Sequence, residues 1–181
     1  MRNLKALNIE KSISGAKLVF EENWLDKLDR LAIYLICIWG FILPFAVFFD
    51  PNRDRNKTGN EYYLFFLMSI FCIYILYRKA TETRLTEILG NSSQDKNKEL
   101  VNNYCFDLGF DRVRNSKNLI IFNSDKTFGL GSNYHICRIF IFKENRVYFT
   151  VIQDSYRSNV PVLFTQFILK KDLEKLFGEK R

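Results

Sequence analysis

A membrane-spanning α-helical hairpin carrying a small α+β domain is the fold class this sequence predicts, and three observations predict it. Two long apolar stretches stand close together in the first half of the chain. A polar segment follows them, and the remaining residues alternate helical with strand periodicity. The 181 residues suffice for such a hairpin plus one head domain and no more.

The first arm, Leu31 to Phe49, runs nineteen residues without Asp, Glu, Lys, Arg or His; the second, Tyr62 to Tyr77, runs sixteen. At about 1.5 Å per residue they are roughly 28 and 24 Å long, against a hydrocarbon core of about 30 Å. A helix in a soluble core normally keeps a polar stripe, and neither arm has one. The twelve Leu, Ile, Phe and Val of the first arm each favour insertion by about 0.3–0.6 kcal/mol, which outweighs Gly40 and Pro44. Trp24, Tyr62, Tyr63 and Tyr77 join an apolar ring to a polar tip and are expected as interfacial anchors. Arg78 and Lys79 snorkel and lengthen the shorter arm. A bend is expected near Gly40 to Pro44. With no charged side chain inside either arm, that bend predicts a kink and not an ion site. Cys37 and Cys72 fall at matching depth and are expected as small apolar residues, not as a disulfide.

Loop charges set the orientation. Lys17, Lys27, Arg30, Arg78, Lys79 and Arg84 flank the hairpin, against Arg53, Arg55 and Lys57 in the connector Asp50 to Glu61. Six basic residues against three predict a two-pass protein of the cytoplasmic (inner) membrane with both termini cytoplasmic. Met1 to Gly15 reads as a mobile tail, and the late apolar run lacks a cleavage site, so it is expected to be retained. Over Lys17 to Arg30, Leu18, Trp24, Leu25 and Leu28 recur at helical intervals. Either an interfacial amphipathic helix or a plain extension of the first arm satisfies them. The domain reading is therefore 1–30 tail and interfacial helix, 31–77 hairpin, 78–94 helical extension and linker, and 95–181 head.

In the segment 78–94, Arg78 to Leu89 is expected to continue the second helix until Gly90, and Gly90 to Lys98 has linker composition. In the head, Leu100, Val101, Tyr104, Cys105 and Leu108 share one helical face, closed by Gly109. Strands are expected over Asn118–Asn123, Tyr134–Phe142, Arg146–Gln153 and Val162–Leu169, the middle two forming a hairpin about Lys143-Glu144-Asn145. A last helix covers Lys170–Phe177. The prediction is a four-stranded antiparallel sheet flanked by two helices on one face. Ile139 and Ile141 make the other face apolar as well, so a second layer, a partner subunit or the bilayer must cover it.

Chemistry-bearing patterns are sparse. Gly129-Leu130-Gly131-Ser132 lacks the lysine of a phosphate loop and reads as a hairpin loop. His135 is the sole histidine; with Cys137 it gives two ligands on one strand, an incomplete metal site, and it supports no nucleophilic triad. No catalytic residue, cofactor or metal is expected, and the reading is non-enzymatic. From Arg78 onward, eighteen Lys and Arg against twelve Asp and Glu carry +6 of the chain's +7. Arg112, Arg114, Lys117, Lys170, Lys171 and Lys175 are the candidate contacts for an anionic surface. The absence of an RNA-binding aromatic motif or a recognition-helix signature argues against nucleic acid. A solvated basic face, with late lysines complementing a helix C-terminus, is the plainer account.

Leu108-Gly109-Phe110 at a helix end, KNLIIF at Lys117 to Phe122, a hairpin and a closing amphipathic helix together carry a resemblance. Over residues 30–178 the chain resembles a group of small bacterial membrane proteins with two spans and a C-terminal helix–sheet–helix domain. That resemblance implies membrane anchoring and transfers no site residue. The expected function is an anchored cytoplasmic module that binds a protein partner or a second copy. A ligand-sensing toxin or defence effector whose helices perturb the membrane is the alternative. A pleckstrin-like lipid-headgroup binder is the third reading, and it needs about seven strands.

Overall fold

The computed structural model describes residues 4–52, 62–90, 93–125, 134–155 and 159–178. It divides into two compact units, Trp24–Thr81 and a second built from Met1–Asn23 with Glu82–Arg181.

The first unit is a helical hairpin. Helix α2 runs Trp24–Phe48 and helix α3 runs Tyr62–Thr81. Both are long and apolar enough to cross a membrane, and only 17% of each candidate span is buried. Of the stretch Lys17 to Arg30, only Trp24 to Arg30 is helical, as the start of α2, and residues 17–23 are not. Trp24, Leu25 and Leu28 lie on the first turns of α2, exposed, while Leu18 belongs to the other unit. Helix α2 is continuous through Pro44. Where the arms meet, Ile33, Cys37 and Cys72 are buried together with Phe41, Ile75 and Leu76 against them. Gly40 permits this approach: a Cβ there would lie 2.7 Å from Cys72 Sγ. Ser69 Oγ donates to the Phe41 carbonyl at 3.1 Å, which satisfies this buried hydroxyl. Most of the connector, residues 53–61, lies outside the described residues.

The second unit contains a five-stranded antiparallel sheet, one strand more than the sequence predicts, in the order β1-β5-β4-β3-β2. These are β1 Thr86–Leu89, β2 Asp111–Ser116, β3 Leu119–Asp125, β4 Tyr134–Lys143 and β5 Arg146–Ser155. The expected β4–β5 hairpin is present, with Glu144 in the turn at φ 55°. Two expectations are corrected, and a strand is found in a segment for which none was predicted. Helix α3 stops at Thr81, and Thr86–Leu89 is not helix but an edge strand, Thr86 opposite Phe149. The segment 111–116 is also a strand, with a bulge between Arg112 and Arg114. Val162–Leu169 is no strand: Thr165–Gly178 forms one helix, α5, because Gln166, Leu169, Leu173 and Phe177 share a buried face. Among the described residues the sheet has five strands, beside the about seven that the pleckstrin-like reading asks for. The loop around Gly129 lies outside the described residues.

Helices α4 (Gln94–Asp107) and α5 cover one face of the sheet. Val101 and Cys105 from α4 and Leu169, Leu173 and Phe177 from α5 pack on Phe122, Phe140, Phe142, Val147 and Phe149. The face that sequence reading left needing a cover is covered by the chain's own N-terminal segment. Leu7 and Leu18 are buried on Leu119, Ile121, Ile139, Ile141 and Ile152, with Leu4, Ile9, Ile13 and Phe20 beside them. Residues 4–20 are thus a strap and not a loose tail. Asn8 caps the short helix α1 (Ile9–Ser14) by accepting from the Lys11 N–H at 3.0 Å. The buried Ser12 hydroxyl donates to the Asn8 carbonyl and accepts from the Val19 N–H. Two backbone bonds then fasten the strap to the start of the head: Leu18 N–H to the Thr83 carbonyl at 2.8 Å, and Leu85 N–H to the Ala16 carbonyl at 2.9 Å.

Candidate functional site

Of the buried polar side chains described on the sheet, all but Thr150 lie from Arg138 toward one end. Beside the Lys143–Arg146 turn the sheet is packed with Leu119, Ile120, Phe140, Ile141, Phe142 and Val147. Toward the other end Ser124, Arg138, Gln153 and Asp154 are buried. Arg138 is the central member. It sits on β4 between Phe122 of β3 and Val151 of β5, beneath the helices, and is only 5% exposed.

Its surroundings follow from the end of α4. Gly109 takes φ +71°, the left-handed conformation that closes a helix. Its N–H donates to the Phe106 carbonyl at 2.8 Å, and the Phe110 N–H donates to the Cys105 carbonyl at 3.0 Å. This turn lays Phe110 over the Arg138 guanidinium, 3.7 Å from ring centroid to Cζ. A cation against an aromatic face recovers part of what it loses on leaving water. The guanidinium also donates to Ser124 Oγ at 2.8 Å. Nearby, the Tyr104 hydroxyl donates to Asp172 Oδ2 at 2.8 Å and ties α4 to α5.

The electrostatics suit holding charge more than moving protons. Burial lowers the pKa of Arg138, against opposing effects of Cys105 and Tyr104, but a guanidinium stays charged at neutral pH. Burial pushes the Cys105 thiol up to about 12, with Arg138 opposing. Burial, and then the hydrogen bond to Asp172, push the Tyr104 hydroxyl above its ordinary range. At neutral pH the cluster therefore offers a fixed cation, a thiol and a phenol, and neither a thiolate nor a phenolate.

The predicted basic contacts do not converge. Arg112, Arg114 and Lys117 lie on or beside β2, one edge of the sheet, whereas α5 packs on β1 and β5 at the other side. Arg112 lies 5.2 Å from the Phe106 ring centroid and donates to Asn102 Oδ1; Arg114 donates to the Leu4 carbonyl and so helps hold the strap. Lys117 is exposed. On α5, Lys170 pairs with Glu174 at 3.6 Å in the open, and Lys171 lies 4.7 Å from the Phe167 ring centroid. Lys175 is exposed in the last turn. Of the interfacial anchors, Trp24, Tyr63 and Tyr77 are exposed near helix ends; the side chain of Tyr62 lies outside the described residues. His135 and Cys137 share a sheet face, as the alternation requires, with Cys137 in the core under the strap. Among the described residues no group of His, Cys, Asp and Glu is placed to hold a metal.

Sequence reading missed Arg138, whose only signal is a charge interrupting the apolar run of YHICRIFIF. No protein-family model, curated protein or solved structure matches this chain.

Proposed function

We propose that the chain is a two-pass membrane protein whose head works at the cytoplasmic leaflet as a non-catalytic module for a protein partner. The observation that carries this is the outer surface of α2 and α3. Leu35, Ile36, Trp39, Ile42, Leu67 and Ile70 are all exposed, and an apolar surface of that extent belongs in lipid. The excess of flanking over connector basic residues supports a topology with both termini inside. For the partner, the β2 edge is the favoured surface. Phe106, Leu108 and Val113 are exposed there with Arg112 and Lys117 beside them, a composition suited to an acidic protein segment with apolar anchors. The bulge at Arg112/Arg114 guards this edge against indiscriminate strand pairing.

Flotation of the expressed protein with carbonate-washed membranes tests the anchoring. Retention, with the head digested only by protease added on the cytoplasmic side, is the expected result; release by carbonate refutes it. Crosslinking from a photoreactive residue at Val113 in native membranes should trap one discrete partner. Adducts no more discrete than those from an unrelated exposed site would refute the partner reading.

A second reading, a ligand sensor whose helices perturb the bilayer, is favoured by Arg138. No carboxylate among the described residues pairs with that buried cation, so an anionic ligand would find a charge to satisfy. Induced expression should then depolarise cells, and Arg138→Met should abolish the effect. Unchanged membrane potential on expression argues against this reading.

A further inference from the structure

From the outer face of α5 we infer a site that docks the head onto an anionic bilayer surface, an inference resting on the two-pass reading above. Positions 164, 167, 168, 171 and 175 follow the three- and four-residue spacing of one helical face. They hold Phe164, Phe167, Ile168, Lys171 and Lys175. This face lies opposite Gln166, Leu169, Leu173 and Phe177, which are buried. Phe164 and Phe167 are each 60% exposed, and Ile168 and Val160 are exposed with them. Phe167 and Ile168 stand exposed on a helix whose buried face is already complete without them. Lys171 lies 4.7 Å from the Phe167 ring centroid, so a cation borders the apolar patch. Apolar side chains that enter the headgroup boundary, bordered by lysines that meet lipid phosphates, are the chemistry of an interfacial helix.

Position in the fold selects the bilayer as the occupant. The Gln166 amide donates to Thr86 Oγ1 at 3.0 Å, which anchors the aromatic end of α5 to the first residue of β1. Only residues 82–85 separate Thr86 from the end of α3 at Thr81. Chain length alone therefore keeps Thr86 within about 18 Å of that end. A patch carried beside Thr86 on a head so tethered meets the membrane at high effective concentration. The lysines of the face match an anionic leaflet in charge.

The test uses the full chain in vesicles of phosphatidylcholine, with and without phosphatidylserine. A bimane fluorophore is placed at Ile168→Cys or, as control, at Lys143→Cys on the β4–β5 turn, which adjoins the end of β1 away from Thr86. The native cysteines are all buried, so labelling is selective. With phosphatidylserine present, shallow spin-labelled lipid should quench the Ile168 fluorophore and leave the Lys143 fluorophore unquenched. High salt should reverse the effect. Lys171→Glu with Lys175→Glu, or Phe167→Ser, should shift the docked-to-free ratio roughly ten-fold or more toward free. Equal quenching at the two positions, or quenching untouched by salt and by the variants, overturns the docking. So does a spectral shift at Ile168 that tracks protein density and not lipid charge, which would assign the face to a second copy. Flotation separates the two levels. A chain that stays with carbonate-washed vesicles but shows no quenching refutes the docking alone, and a chain that is released refutes the two-pass reading and the docking with it.

Discussion

At the scale of the residue, the tightest constraints are where a side chain has been placed against its own preference. Arg138 is a cation under two helices, held by the ring of Phe110 and the hydroxyl of Ser124. Gly109 is what puts Phe110 there, and the Leu108-Gly109-Phe110 stop was legible in sequence. The charge it covers was not, because alternation along β4 shows that position 138 faces inward but not what waits there. Cys105 gives a pH prediction with a definite sign. Its thiol is raised to about 12 in the folded head, while the unfolded thiol ionises near its ordinary value of about 8.5. Between those values the unfolded state binds fewer protons, so stability is fully present at lower pH and falls as pH rises through this window. Urea titrations from pH 8 to 11 should show a decline approaching about 1.4 kcal/mol per pH unit from this group. Cys105→Ala should flatten it, leaving the part due to Tyr104. Gly40 gives a steric prediction. With Cys72 Sγ 2.7 Å from the place of a Cβ, Gly40→Leu must push α2 and α3 apart at a cost of about 1–3 kcal/mol. Faster maleimide labelling of Cys72 in detergent is the expected readout.

Among the elements, the strap is the one whose role changes the account of the molecule. A sheet with Ile139 and Ile141 on one face and Phe140 and Phe142 on the other must be covered twice. Its sequence announces that need, and sequence reading offered a second layer, a partner subunit or the bilayer to meet it. Residues 4–20 answer it from within the chain, through Leu7 and Leu18. Their own apolar residues are too few and too irregularly spaced to reveal a covering layer. Leu18→Asp should cost the head about 2–4 kcal/mol, since it removes a buried leucine and strands a carboxylate against Ile139 and its neighbours. Raised dye binding to exposed apolar surface, with a lowered melting temperature, would register the loss; a melt unchanged from wild type would contradict the strap's role. Helix α5 teaches the converse. Val162 to Leu169 reads as a strand because apolar residues fill consecutive positions, yet Leu169, Leu173 and Phe177 extend one buried helical face back to Gln166. The apolar surplus that misled the strand reading is the same Phe164–Phe167–Ile168 group that faces outward.

Viewed as a whole molecule, the chain begins and ends its folded unit on either side of the hairpin: residues 4–20 precede α2, and the sheet follows α3. The head can therefore be completed only with the segment synthesised before both apolar helices. A fragment of residues 82–178 should be poorly soluble and bind hydrophobic dyes. Adding a peptide of residues 1–23 in trans should restore a cooperative melt, and a fragment that folds well alone would show the strap to be dispensable. The sequence by itself determined the two apolar helices, the end of α4 at Gly109 and the β4–β5 hairpin. Each is written in contiguous residues, as unbroken apolarity, a glycine stop or a short turn between apolar runs. Tertiary structure decided the rest: that Thr86–Leu89 leaves the helical path to pair with Phe149–Arg146, that the strap crosses the sheet, and that α5 begins early. Those choices depend on partners some sixty to a hundred or more residues away. Local periodicity records which faces of a segment are apolar, and only the folded chain determines what covers them.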